Sequence, residues 1–100
     1  MRLSSAELVA IRRALAGERY ARAFLFGSRV DDARRGGDID LLLHSGEPAF
    51  PLGHRIASRY AMFMDGRLDV TVVDPEHTTA EQAAFLATLD LEPIDDRIAA

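Results

Sequence analysis

The 100-residue sequence contains no cysteine, so disulfide bonds and thiolate metal ligands are excluded. Long apolar runs are also missing, since no stretch approaches the roughly 20 residues that a membrane-spanning helix needs. The first ten residues lack the basic and then apolar order of a signal peptide. These absences predict a cytoplasmic protein with no membrane partner, in which any bound metal has oxygen or imidazole ligands.

Lysine is absent too, because all twelve basic residues are arginine. The net charge is −4 and no dense basic patch is present, which argues against duplex DNA as a partner because phosphate neutralisation dominates that affinity. Arginine suits bidentate phosphate contacts, although genome base composition produces the same bias. The length and the 48% hydrophobic content predict that residues 1–100 form a single domain.

Three segments of the sequence predict amphipathic helices. A capping box of the form S-x-x-E begins at Ser4 and precedes apolar residues at helical spacing, and Gly17 then provides a stop. The second helix ends at Gly66. Its predicted buried stripe consists of Leu52, Ile56, Tyr60 and Phe63. The third helix is predicted to open at a second capping box, Thr78-x-x-Glu81.

Apolar segments between these helices predict strands at residues 21–26, 38–44 and 67–74. Residues 29–35 are predicted to form a short helix or a loop. Residues 90–100 add a short edge strand or fray, since Pro93 limits a strand there to an edge and Asp95 and Asp96 are predicted to be solvated. This order predicts an α/β (α+β) domain with a small mixed β-sheet of three or four strands covered by helices.

Carboxylates interrupt two of the predicted strands. Asp38 and Asp40 share one face because strand side chains alternate, and Asp69 lies between two apolar residues of the next strand. Close carboxylates repel each other unless a cation lies between them, although a solvated pair at a strand end and an edge residue remain the structural alternatives. Oxygen ligands without cysteine or clustered histidine favour Mg²⁺, with Mn²⁺ as the alternative. The histidines, which lie at 44, 54 and 77, lack metal-ligand spacing and are predicted at the surface.

The dipeptide Gly27-Ser28 follows a predicted strand and precedes a short helix or loop. Backbone N–H groups and a hydroxyl at such a turn can bind a phosphate chain, and glycine permits its close approach. By itself the dipeptide also fits an ordinary turn.

Taken together, the motifs have an order and spacing typical of one superfamily. They are Phe26-Gly27-Ser28, nine further residues, Asp38-Ile39-Asp40, and later Leu68-Asp69-Val70. This pattern resembles the signature of the DNA polymerase β-like nucleotidyltransferases, and over residues 20–75 the chain looks like the minimal nucleotidyltransferases of prokaryotes. The resemblance implies the nucleotidyltransferase fold.

The resemblance also implies roles for individual residues. Gly27, Ser28 and Arg29 would bind the nucleotide, with Ser28 holding the triphosphate. Asp38, Asp40 and Asp69 would be the catalytic and metal-binding residues, with Asp69 beside the acceptor. The implied substrate is an NTP, and the resemblance to minimal nucleotidyltransferases implies that this NTP is ATP.

Stand-alone minimal nucleotidyltransferases resemble the antitoxin half of a toxin–antitoxin pair. The implied partner is a small all-helical HEPN ribonuclease, which the enzyme would silence by transferring AMP from ATP to a tyrosine hydroxyl. Two other functions fit the sequence. A catalytically silent antitoxin would neutralise its partner by binding alone, and an enzyme acting as a homo-oligomer would modify a small molecule or an RNA end.

Overall fold

The structure is a computed structural model that describes residues 3–27 and 38–99. The predicted helix or loop at 29–35 therefore lies outside the described residues. The elements are α1 (Ser5–Leu15), β1 (Arg22–Phe26), β2 (Ile39–His44), α2 (Ala49–Ala61), β3 (Leu68–Val73), a 3₁₀ turn (Pro75–His77), α3 (Ala80–Leu86), β4 (Glu92–Pro93) and α4 (Asp95–Ile98).

Within the described residues, four strands form one sheet in the order β3-β2-β1-β4. Strand β1 runs antiparallel to both β2 and β4, whereas β2 and β3 are parallel and are joined by α2 as a crossover helix. The predicted α+β domain with a small mixed sheet is confirmed. This architecture is consistent with the small nucleotidyltransferase-like fold that the resemblance implies.

The two faces of the sheet are covered unequally. The larger apolar core lies between one face and helices α1, α2 and α4, and includes Leu41, Leu43 and Tyr60. The smaller core lies on the opposite face, where Phe24 and Leu42 pack with partly buried side chains from α3 and the segment after it. Consecutive leucines of β2 are fully buried on both faces, as predicted from its apolar run.

The predicted start of α1 is confirmed, because the Ser4 hydroxyl and the Glu7 carboxylate form the reciprocal capping box. The buried stripe of α2 is confirmed at Leu52, Ile56 and Tyr60 but is wrong at Phe63, which is 45% exposed. Helix α2 ends at Ala61, so the helical period no longer turns residue 63 towards the core. The Phe63 ring instead lies beneath the Arg13 guanidinium.

The predicted capping box of the third helix is shifted by one residue. Thr79 and Gln82 form it, rather than Thr78 and Glu81. The Thr78 hydroxyl donates to the Asp74 carbonyl 3.0 Å away and so belongs to the preceding turn. Each of the two neighbouring threonines has a residue with a carboxylate or an amide three positions later, so the sequence pattern does not determine which of them caps the helix.

The end of the described chain contains the predicted edge strand, β4, followed by the helix α4, which the sequence analysis did not predict. Asp96 is exposed as predicted, whereas Asp95 is only partly exposed and has specific partners. Its carboxylate accepts from the backbone N–H of Ala23 at 2.9 Å and from Arg22 Nε at 3.1 Å. Asp95 thereby attaches the end of the chain to the start of β1.

No helix within residues 3–27 and 38–99 is long and apolar enough to cross a membrane.

Glu18 connects α1 to α2 through ion pairs. Its side chain is 8% exposed and accepts from Arg55 at 3.0 Å and from Arg59 at 2.8 Å. The hydrogen bonds from Arg55 lower the pKa of Glu18 below its ordinary value of 4.5, with burial acting in the opposite direction and Arg59 adding to the lowering. The ionised carboxylate therefore stabilises the fold at neutral pH.

We predict that Glu18→Gln lowers the free energy of unfolding at pH 7 by about 1 kcal/mol, a modest value because both arginines are partly exposed. Because the folded-state pKa is depressed, the stabilisation is present above the unfolded pKa near 4.5 and is lost as pH falls through the folded pKa. Urea denaturation over the range from about pH 3 to about pH 7 measures this loss.

The exposed Glu81→Gln serves as the control, and it should leave the stability close to that of the parent. Equal stability of the Glu18→Gln and parent proteins at pH 7 would contradict the prediction.

Candidate functional site

Two of the predicted catalytic carboxylates lie side by side on adjacent strands. Asp40 of β2 and Asp69 of β3 are register partners in the parallel pair. Each is separated by an even number of residues from a side chain of the smaller core, Leu42 in β2 and Val73 in β3. Both carboxylates therefore belong to the sheet face that α3 covers, and both are only partly buried.

The third carboxylate, Asp38, immediately precedes β2 and is exposed. It lies beside the start of β3, because the next residue, Ile39, donates its N–H to the Arg67 carbonyl at 3.2 Å. The Asp38 carboxylate is 3.7 Å from Arg67 Nε. All three predicted acids thus lie at the same end of the β2–β3 pair.

The charges of these acids affect one another. Burial raises the pKa of Asp40, and the carboxylates of Asp69 and Asp38 raise it further, whereas Arg67 acts in the opposite direction. A carboxyl group whose ionised form is disfavoured by two neighbouring carboxylates gains from a bound cation. The site therefore has the electrostatic character expected of a cation site.

Gly27 lies against the same carboxylate. Phe26 pairs with Asp40 across β1 and β2, so the chain leaves β1 directly beside the Asp40 side chain. Gly27 has φ +73°, and a Cβ there would collide with Asp40 Oδ2. Glycine is favoured here by its left-handed conformation, and a side chain at this position would also displace the Asp40 carboxylate. Ser28 and Arg29, predicted to bind the nucleotide, lie outside the described residues.

Arg67 is a site residue that the sequence analysis did not identify. Its Nε and Nη2 donate to the two carboxylate oxygens of Asp69 at 3.0 and 3.1 Å. Residues 67 and 69 are two apart along an extended chain and so share a face, which is the signal that could have indicated this pairing. A cationic side chain therefore already contacts two of the three acids.

The donor set fits Mg²⁺, since three carboxylates converge at one end of the sheet without a nitrogen or sulfur ligand among them. Their ligand atoms do not form a closed group, however. Among the described residues, the three ligand atoms found within 4.8 Å of one another belong to Asp74, Glu76 and His77. Two oxygens of the predicted triad, those of Asp69, are instead engaged by Arg67.

The group of Asp74, Glu76 and His77 lies after β3, at the opposite end of the strand from Asp69. His77 is exposed, as predicted, although its proximity to two carboxylates was not predicted from the sequence. Asp74 caps the 3₁₀ turn by accepting from the Glu76 N–H at 3.0 Å, and His77 Nδ1 lies 2.8 Å from its other oxygen. These contacts within the turn bring the three side chains together without a metal ion.

An open groove of about 830 Å³ also lies at this opposite end. It is lined by residues that include Tyr20, His44, Glu47 and Asp74, and by none of the predicted site residues that the structure describes. Volume alone would therefore place a ligand away from the three acids. The charge distribution and the Gly27 contact distinguish the acid-bearing end as the site with defined chemistry.

Comparisons with known proteins add no assignment: no protein-family model matches the chain, and no curated protein matches it. The resemblance to nucleotidyltransferases consequently rests on the motifs and on the positions of their residues.

We predict that Gly27→Ala destabilises the protein more than Gly17→Ala does. Both glycines have positive φ, but a Cβ at Gly17 would have no described atom within 4 Å, whereas one at Gly27 would collide with Asp40. Gly17→Ala should cost about 1 kcal/mol, from backbone strain alone. Gly27→Ala should cost about 1 kcal/mol or more in addition, measured by chemical denaturation.

The double variant Gly27→Ala/Asp40→Ala tests the cause of the additional cost. Removing the Asp40 carboxylate should bring the cost of Gly27→Ala close to that of Gly17→Ala. Equal costs for the two single glycine variants would show that the contact with Asp40 has no energetic importance.

Proposed function

We propose that this protein is a magnesium-dependent nucleotidyltransferase that transfers AMP from ATP to an acceptor hydroxyl. The observation that carries the proposal is the pairing of Asp40 with Asp69 on parallel strands, with Asp38 and Gly27 at the same end of the sheet. Asp40 and Asp69, which are 29 positions apart in the sequence, thereby become neighbours.

Asp38, Asp40 and Asp69 would hold the divalent cations, and Gly27 would leave room for the nucleotide beside Asp40. When bound at such a site, two divalent cations supply a lowered pKa for the attacking hydroxyl and neutralise charge on the leaving group. The acceptor oxygen forms a bond to the α-phosphorus as the bond from that phosphorus to the bridging oxygen breaks. Pyrophosphate leaves, and Asp69 would accept the hydroxyl proton.

We further propose that the acceptor is a tyrosine of a small all-helical HEPN-type ribonuclease and that the protein acts as its antitoxin. The resemblance supports this choice, and one exposed aromatic side chain is consistent with it. Every residue of α3 is at least partly exposed, and Phe85 is 48% exposed. Leu86 of the same helix packs against the sheet face that carries the acids, and we propose that the neighbouring Phe85 contacts the partner.

Neutralisation by binding alone is the second candidate function. The ion pairs of Arg67 with Asp69 and Asp38 favour it, because they neutralise two of the acids without a metal ion. The two functions differ in their requirement for ATP. A silent antitoxin inhibits its partner equally with and without MgATP, whereas a transferase needs it.

We predict that saturating MgATP raises the Tm of the parent protein and that Asp40→Asn abolishes this rise. At about 100 times Kd, a ligand that binds only the native state stabilises it by about 2.7 kcal/mol. Asp40→Asn should also raise the Tm of the ligand-free protein, because it removes repulsion from Asp69 and Asp38. Thermal melts with and without MgATP measure both effects.

Asp96→Asn is the matched control, since it removes one exposed carboxylate from α4 on the other face of the sheet. It should keep the MgATP-dependent rise. The proposal also requires that mass spectrometry detects an added AMP on the HEPN-type partner with the parent and none with Asp40→Asn. A parent protein whose Tm responds to neither MgATP nor MnATP would exclude the nucleotide site.

We predict that Phe85→Ser weakens binding to the HEPN-type partner about tenfold, as expected for an exposed aromatic residue at an interface. The MgATP-dependent rise in Tm should stay unchanged, because the substitution leaves the three acids intact. Calorimetric titration of the partner into each protein measures the affinity.

Phe50→Ser provides the control for loss of an exposed ring. Phe50 is 82% exposed and lies on α2, which covers the other face of the sheet. Partner affinity that falls equally for both variants, or for neither, would rule out α3 as the docking surface.

A further inference from the structure

The Arg67 guanidinium forms ion pairs with two acids of the proposed metal site, Asp69 and Asp38. It donates to both oxygens of Asp69, at 3.0 and 3.1 Å, and its Nε lies 3.7 Å from Asp38 Oδ2. Bidentate pairing occupies the Asp69 oxygens that a divalent cation would need. The arginine and a cation at Asp69 therefore compete for the same atoms.

The backbone of Arg67 is attached to β2, whereas its ion-paired side chain is largely exposed to water. The Arg67 carbonyl accepts from the Ile39 N–H at 3.2 Å, which attaches the residue to the start of β2. Its side chain is 72% exposed, so water can solvate the guanidinium as soon as it leaves Asp69. Exposed ion pairs of this kind are weak and are screened by salt.

The Arg67 guanidinium is therefore close enough to offset the repulsion among the acids, and its ion pairs are weak enough to be displaced. We propose that Arg67 is a displaceable counter-ion, which neutralises Asp69 and Asp38 in the metal-free protein and gives up both to an incoming divalent cation. This inference rests on the proposed function, because it takes the three acids as the metal ligands.

Two consequences follow from this competition. Metal binding must break the Arg67 ion pairs, so the apparent affinity for the metal is lower than that of the carboxylates alone. Metal binding also frees a guanidinium at the edge of the site, where it remains attached to β3 through its backbone.

The test is calorimetric titration of Mn²⁺ into the metal-free full-length protein at low ionic strength. All proteins carry His77→Gln, so that the group of Asp74, Glu76 and His77 contributes little to the binding. Adding Arg67→Gln should lower the Kd for Mn²⁺ by about two- to fivefold, the range expected from the loss of an exposed ion pair. Added salt should reduce this difference.

Two substitutions separate competition from a general effect of charge. Arg22→Gln removes the same charge from an exposed arginine at the start of β1, which pairs with Asp95. This variant should leave the Kd unchanged. Arg67→Lys keeps the charge but cannot contact both oxygens of Asp69 in the bidentate manner. Its Kd should therefore lie between the Kd of the protein that retains Arg67 and the Kd of the Arg67→Gln variant.

A double-mutant cycle identifies the carboxylate through which Arg67 acts. With Asp69→Asn already present, Arg67→Gln should change the Kd by a smaller factor, because the main ion pair is absent. An undiminished effect would overturn the assignment of Asp69 as the shared ligand.

The outcomes separate this inference from the proposed function. If the protein with Arg67 intact binds Mn²⁺ and Arg67→Gln leaves the Kd unchanged or raises it, the counter-ion role is wrong and the metal site stands. An equal decrease for Arg22→Gln likewise overturns the counter-ion role. If neither protein binds Mn²⁺, the metal site itself fails and the inference fails with it.

Discussion

The parallel pairing of β2 with β3 is the constraint on which the site depends, because it places Asp40 beside Asp69. Two carboxylates at this separation repel each other, and partial burial of Asp40 adds to the cost of ionising it. The apolar residues that follow in both strands are buried in the two cores and keep this register. Strand packing thus holds together charges that would separate in an unconstrained chain.

Two neighbouring features can be understood as responses to this arrangement. A side chain at position 27 would press against the Asp40 carboxylate, so the turn after β1 contains glycine. A positive charge reduces the repulsion, and Arg67 supplies it through its ion pairs with Asp69 and Asp38. The turn follows β1 and the arginine precedes β3, and they contact different acids of the group: Gly27 lies against Asp40, whereas Arg67 pairs with Asp69 and Asp38.

The two faces of the sheet are covered unequally, so the main core and the accessible acids lie on different faces. On one face, α1 and α2 bury the larger core, and Glu18 links the two helices through its arginine partners. On the other face, the smaller core meets α3, whose residues all retain some exposure. Because the acids belong to this second face, a ligand can approach them without disturbing the main core.

The sequence by itself determined helices α1 to α3, strands β1 to β3 and the three acids as candidate site residues, because apolar periodicity and capping are local properties. Only the tertiary structure decided the strand order, the pairing of Asp40 with Asp69 and the contact between Gly27 and Asp40, which depend on residues distant in the chain. Local patterns also failed where two neighbours compete, as for the capping threonines, and where a side chain finds a remote partner, as Asp95 does with β1. Arg67 was overlooked although its pairing with Asp69 is local; only its contact with Asp38 comes from the strand pairing, of which periodicity contains no record.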